Sequence, residues 1–350
     1  MGNQVLKYSA LTTKIRGMEL VFEDEGNVSK LANLDSVSEF VSFLKGTKSY
    51  QLLFQRYEET ALHRGEIEEI LNTSRYIDYM KIYRFANKQQ RKFLSIYFME
   101  FEVAIIKNIL QSIFDKRTLS YNLSYFHEFF ASHTKLNLEK LKAATTITEL
   151  SQSLIGSVYE GVFDHVNPET ATLFDYETCL DLFYFTYIWK IKDKVLTGFE
   201  HQLVSKTLGT KIDYLNIMWI YRGKKYLHSD TNTFYRFVIP IHYKLKKHQL
   251  VKLIEANSET EFLNILGKTY YKELSTLLPN HNFDQLYHDH MHKLYQSQVA
   301  KYPYSIAMIT SHFYFRGEEV RKLISNLECI RYQLKRNEAL TLMKKEGVTY

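Results

Sequence analysis

Leu31, Phe40, Leu44, Thr47 and Tyr50 form a pattern that returns as Leu141, Leu150, Leu154, Ser157 and Tyr159, and again as Leu253, Phe262, Leu266, Thr269 and Tyr271. In every copy the apolar residues fall at 0, +9 and +13, with a small hydroxyl residue at +16. The copies start 110 and then 112 residues apart in a chain of 350. A chain that spells the same unit three times points to a ring-like or stacked object. That directs the search for function towards shape and partners, away from a single catalytic pocket. It also predicts three similar helical domains, at residues 1–118, 119–230 and 231–350.

Local chemistry repeats along with the apolar pattern. Ser36 and Glu39, Thr146 and Glu149, and Ser258 and Glu261 each have the spacing of a capping box at a helix start. Each short helix is then expected to end near Gly46, Gly156 or Gly267. A longer helix follows in every third, carrying an acid within an apolar surround: Glu102, Asp213 and Glu319. These acids lie 111 and 106 residues apart, close to the period of the leading parts. A carboxylate on an apolar helix is costly unless paired or hydrogen-bonded, so we read the three as structural acids. Lys107, Arg222 and Arg321, each following its acid, are the expected partners.

Only 13 Gly and 4 Pro interrupt the chain, which favours long helices over many short strands. With 45% hydrophobic residues, 27 Tyr and 23 Phe, the expected fold class is all-α with thick packing layers. The net charge of +6 comes from interleaved signs, short of the clustered charge of a nucleic-acid surface. Residues 243–248, with Lys244, Lys246 and Lys247, read as an exposed helix face. Cys179 and Cys329 are too few for a disulfide framework and point to a reducing compartment. The start of the chain lacks an apolar stretch of signal-peptide length, and Leu6 stands where a myristoylation signal needs Ser or Thr. The longest apolar run, residues 182–189, is far below the ~20 residues that span a bilayer. At a membrane, such a chain would be held peripherally by another protein.

Motifs for chemistry are sparse. Gly156 and Gly161 have phosphate-loop spacing, but Val162 and Phe163 follow where Lys and Ser or Thr are required. No Gly-x-Ser-x-Gly elbow or His-Glu-x2-His helix occurs. His288 and His292 would share a helix face, yet nothing in sequence completes a metal site, so no metal or cofactor is expected. Arg222 and His228 resemble the Arg-x4–6-His motif of helical HEPN-type ribonucleases, which gives an alternative reading as a nuclease.

Five segments, in this order and spacing, resemble the C subunit of bacterial and archaeal A/V-type ATPases, the counterpart of the eukaryotic d subunit. They are residues 8–18 (YSALTTKIRGM), 34–44 (LDSVSEFVSFL), 62–68 (LHRGEIE), 212–217 with 221–224 (IDYLNI and YRGK), and 315–323 (FRGEEVRKL). The resemblance implies an all-helical funnel of three domains with pseudo-threefold symmetry. It implies a non-catalytic rotor adaptor whose partners are the central-stalk subunits of the ATPase head and the membrane proteolipid ring. The implied location is peripheral, on the cytoplasmic face, during proton or sodium transport.

Overall fold

The computed structural model describes residues 2–18, 25–59, 62–117, 126–227 and 231–334. Among these residues there are helices and turns and no strand, so the chain is all-α. In chain order the helices are α1 (Gly2–Arg16), α2 (Glu25–Leu31), α3 (Val37–Lys45), α4 (Gln51–Phe54), α5 (Arg64–Phe85) and α6 (Lys88–Asp115). Next come α7 (His127–His133), α8 (Leu138–Ala143), α9 (Ile147–Ser153), α10 (Leu173–Val195) and α11 (Gly198–Arg222), which runs into a π-turn at Gly223–Leu227. The last are α12 (Thr231–Phe237), α13 (Lys247–Glu255), α14 (Glu259–Leu266), α15 (Lys272–Leu277), α16 (Phe283–Lys301) and α17 (Ile306–Arg331).

The chain forms two compact units: Met1–Arg91 with His292–Tyr350, and Lys92–Met291. The first unit therefore joins the two ends of the chain. Its core sets Phe40, Val41, Leu44, Tyr50 and Phe54 against Leu323 and Leu327 of α17. In the second unit Phe262, Leu266 and Tyr271 pack against Ile217, Ile220 and Tyr221 of α11. The expected domain boundaries after residues 118 and 230 fall at segments outside the described residues.

The repeat owes its regularity to capping as well as burial. The apolar and tyrosine positions of all three copies are at most 4% exposed. Ser36, Thr146 and Ser258 are the N-caps of α3, α9 and α14, accepting from the N–H groups of Glu39 (3.2 Å), Glu149 (3.2 Å) and Glu261 (3.1 Å). The glutamates return their bond one residue earlier than an ordinary capping box. They accept from the N–H of Asp35 (2.9 Å), Thr145 (2.8 Å) and Asn257 (2.7 Å).

The hydroxyl at +16 closes the other end of each short helix. Thr47, Ser157 and Thr269 donate to the carbonyls of Leu44 (2.8 Å), Leu154 (2.6 Å) and Leu266 (2.7 Å). Such a bond occupies a carbonyl that a helix end leaves without an intrahelical donor. In the second and third copies the same oxygen accepts from the N–H of Tyr159 or Tyr271, both at 3.1 Å. The first copy has one residue more before its tyrosine, and Tyr50 N–H donates to the Thr47 carbonyl instead, at 3.1 Å. The helix ends differ slightly from expectation. Helices α3 and α14 stop at Gly46 and Gly267, whereas α9 stops at Ser153 and Gly156 lies in the following turn at φ +79°.

Candidate functional site

Glu102 on α6, Asp213 on α11 and Glu319 on α17 are all buried, at 6%, 0% and 2% exposure. Each is bonded by the tyrosine that ends a repeat. Tyr159 donates to Glu102, Tyr271 to Asp213 and Tyr50 to Glu319, every one at 2.8 Å. In each case the acid of one third meets the tyrosine of the next, and the acid of the last third meets the tyrosine of the first. The leading part of every copy is thereby fastened to the long helix that carries the preceding acid. Cyclic order, not the linear order of the thirds, governs these contacts.

Beyond the tyrosine the surroundings differ. Glu319 accepts from Arg316, whose Nη1 also reaches the Tyr50 hydroxyl at 3.3 Å. Arg316 Nε donates to Asp78 on α5 at 2.7 Å, and His312 Nε2 lies 3.1 Å from the same oxygen. Lys81 approaches the other Asp78 oxygen at 3.5 Å. Burial raises the Asp78 pKa, but the His312 hydrogen bond and the Arg316 charge outweigh it and hold the carboxyl at about 2. Burial likewise works against charge on Arg316, yet Tyr50, Glu319 and Asp78 together hold it above the usual arginine range. The pairing has a local cause: Arg316 and Glu319 stand three apart on one helix face.

Asp213 is held by backbone. It accepts from the N–H groups of Lys244 (2.7 Å), Leu245 (2.9 Å) and Tyr243 (3.3 Å). Gly209, one turn earlier on α11, permits that approach, because a Cβ there would overlap the Tyr243 ring. Burial still leaves the Asp213 pKa raised, opposed by these bonds and that of Tyr271.

Glu102 has the lightest compensation. Its donors among the described residues are the hydroxyls of Tyr159 and Thr134, the latter positioned by accepting the Leu136 N–H at 3.2 Å. Burial raises its pKa against those two bonds. The residue three positions before it is Met99, where the Glu319 helix has Arg316. Glu102 and Met99 both line a cavity of about 400 Å³.

The bases expected to neutralise these acids are engaged elsewhere. Lys107 bonds Asp181 at 2.7 Å, Arg222 bonds Asp284 at 2.6 Å, and Arg321 bonds Glu318 at 2.9 Å. Proximity along the helix pointed to these bases, whereas the signal for the true partners was a tyrosine two or three residues after the hydroxyl in each repeat. Proximity also missed Asp78 and His312, which lie more than 230 residues apart in the chain.

Two further motifs resolve separately. The His288 ring packs against that of Tyr287, and the His292 ring against that of Phe315, with centroids 5.1 Å apart in both pairs. Among the described residues no group of three or more His, Cys, Asp or Glu could hold a metal ion. Arg222 is tied to Asp284, while His228 lies outside the described residues, and the ribonuclease reading is not favoured. No helix among the described residues is long and apolar enough to cross a membrane.

Known proteins give a consistent match. A family model described as ATP synthase (C/AC39) subunit matches residues 11–341. The A-type ATP synthase C subunit of Methanosphaera stadtmanae is 22% identical over 316 residues, spanning 86% of this chain and 78% of its own. That of Thermococcus kodakarensis is 23% identical over 336 residues, spanning 92% and 86%. The corresponding protein of Methanocaldococcus jannaschii is 23% identical over 274 residues, spanning 76% and 66%. With a family model matched across nearly its whole length, this chain belongs to the ATP synthase (C/AC39) subunit family.

Proposed function

We propose that this chain is the coupling subunit of an A/V-type rotary ATPase. In this reading it receives the central stalk of the soluble head and rests on the membrane proteolipid ring. Three similar domains surround the rotation axis as a funnel. The chain transmits torque without catalysing a reaction, peripherally at the cytoplasmic face, while protons or sodium ions are moved. Family membership carries the proposal.

The recurring tyrosine–carboxylate bond supports it physically. A coupling element must resist shear, and close-packed interiors transmit strain with little give. Apolar contact alone is non-directional, whereas a buried hydrogen bond to a carboxylate fixes one register and is costly to break. The same bond is made at Tyr50–Glu319, Tyr159–Glu102 and Tyr271–Asp213. Each acid is buried and accepts at least two hydrogen bonds among the described residues, an arrangement that suits bracing better than proton transfer to a substrate.

The test is deletion of the gene followed by assays on isolated membranes. ATP hydrolysis by the head should persist while ATP-driven ion pumping falls to background, and re-expression should restore pumping. Normal pumping in the deletion strain would end the proposal. Affinity purification from solubilised membranes should recover stalk and proteolipid subunits together.

A further inference from the structure

We propose that the cavity beside Glu102 is a socket for an arginine side chain of a partner polypeptide, one flanked by acidic residues. Glu102 lines the cavity, is 6% exposed and has two neutral hydroxyls as the donors to its carboxylate among the described residues. The walls are mainly apolar, including Phe98, Met99, Phe129, Leu136 and Ile191, so they suit the aliphatic stem of a long side chain. The equivalent carboxylate Glu319 receives a guanidinium from Arg316 on its own helix. At Glu102 the corresponding residue is Met99, and it lines the cavity. Roughly 400 Å³ of space thus adjoins the one acid of the three whose donors include neither a cation nor backbone N–H groups among the described residues.

The mouth determines what surrounds the incoming arginine. Lys92, His133 and Lys135 are its charged or titratable groups, all exposed. His133 lies flat on Phe129 at 3.9 Å with Nδ1 on the Phe129 carbonyl, and Lys92 and Lys135 are the lysines of the rim. A bare cation is repelled by that rim and attracted by the Glu102 carboxylate. A basic side chain flanked by Asp or Glu matches both, since its neighbours pair with Lys92 and Lys135 while its head reaches Glu102. Burial holds the Glu102 pKa up, and a guanidinium beside it would bring the carboxyl down into its charged form. Binding should therefore release a proton near the Glu102 pKa and strengthen as pH rises through it.

The probe is a fluorescent peptide carrying Glu-Arg-Glu, titrated against the full chain by anisotropy, with Glu-norleucine-Glu and Gln-Arg-Gln as controls. Saturable binding of Glu-Arg-Glu is expected, at least tenfold tighter than either control. Glu102→Gln should remove that tenfold preference over the norleucine peptide. Joint Lys92→Gln and Lys135→Gln should remove the preference over Gln-Arg-Gln together with most of the salt dependence. Met99→Arg supplies the guanidinium internally, as Arg316 does for Glu319, and should abolish binding while raising the unfolding midpoint. The proposal is overturned if Glu-Arg-Glu fails to bind, if the norleucine peptide binds equally well, or if binding survives in folded Met99→Arg protein. None of these readouts depends on ATP hydrolysis or ion pumping, so failure here is distinguishable from failure of the coupling role.

Discussion

Glu319 and Glu102 occupy corresponding places in the repeat, yet the protein makes them tolerable in opposite ways. In the unit that joins the two chain ends, Glu319 shares Arg316 with Asp78, and His312 lies within hydrogen-bonding distance of the same Asp78 oxygen. In the other unit Glu102 meets two hydroxyls and a cavity. The shared element is the tyrosine bond of 2.8 Å, while charge compensation varies. Position and register are therefore properties of the repeat, and electrostatics is a property of each copy. An ionic network ties its members to one another, so removing any of them exposes the rest. A carboxyl held by neutral donors has no such dependants.

The sharpest break in this comparison is Arg316→Met. It leaves Asp78 and Glu319 buried without their common cation and should cost about 3–5 kcal/mol, measured by urea unfolding. Adding Glu319→Gln to that variant should recover part of the loss, because one uncompensated charge is then gone. If Arg316→Met were nearly neutral, the ionic description of this unit would be wrong. Removing single hydroxyls comes next. Tyr50→Phe takes a bond from a charged acceptor and should cost about 1.5–3 kcal/mol, whereas Tyr159→Phe should cost about 0.5–1.5 kcal/mol where Glu102 is protonated. Double-mutant cycles with Glu319→Gln and Glu102→Gln isolate the two bonds. Equal coupling energies at a pH where Glu102 is protonated would erase the distinction.

Acid should move the two sites in opposite directions. Asp78 has a folded pKa of about 2 against an ordinary 3.8, so its stabilisation is complete above the unfolded value and is lost as pH falls from about 4 towards 2. Full protonation should forfeit about 2 kcal/mol. The folded pKa of Glu102 is raised above its ordinary value of 4.5 by burial. Its protonated form therefore favours folding: that stability is present below 4.5 and lost as pH rises through the folded pKa. Urea midpoints of wild type and Glu102→Gln should consequently converge on acidification from neutral pH. Those of wild type and Asp78→Asn should converge only below about pH 4. A Glu102→Gln difference that grew on acidification would reverse the assignment.

How much of this was legible in the chain depends on distance. The all-α class followed from the scarcity of breakers, and the capping positions Ser36, Thr146 and Ser258 could be placed because a cap acts within three residues. The acids were also visible, since a carboxylate in an apolar stretch demands an explanation wherever it folds. Their partners were not. Tyr159 is 57 residues from Glu102, Tyr271 is 58 from Asp213 and Tyr50 is 269 from Glu319. Helical periodicity offers bases within a turn or two, and in Lys107, Arg222 and Arg321 it offered residues that bond other acids. Arg316 was local enough to find, at three residues before Glu319, but it could not be told from Arg321, two residues after. The cavity beside Glu102 had no sequence signal at all, because a space is defined by what several segments leave unfilled.

The smallest predicted effect sharpens the comparison from the other side, since it should not distinguish the two units. Ser36→Ala, Thr146→Ala and Ser258→Ala each remove an exposed N-cap bond of 3.1–3.2 Å that is built identically in every copy. Each should cost about 1 kcal/mol, and the three values should agree within a few tenths. The same geometry in solvent allows little room for context, whereas the buried acids differ through their surroundings. Replacing each residue with Gly should recover most of the loss, because a glycine N-cap lets water reach the freed N–H groups. If the three caps instead spread as widely as the acids, the variation would belong to the copies as wholes, and the separation between a uniform repeat and its individual electrostatics would fail.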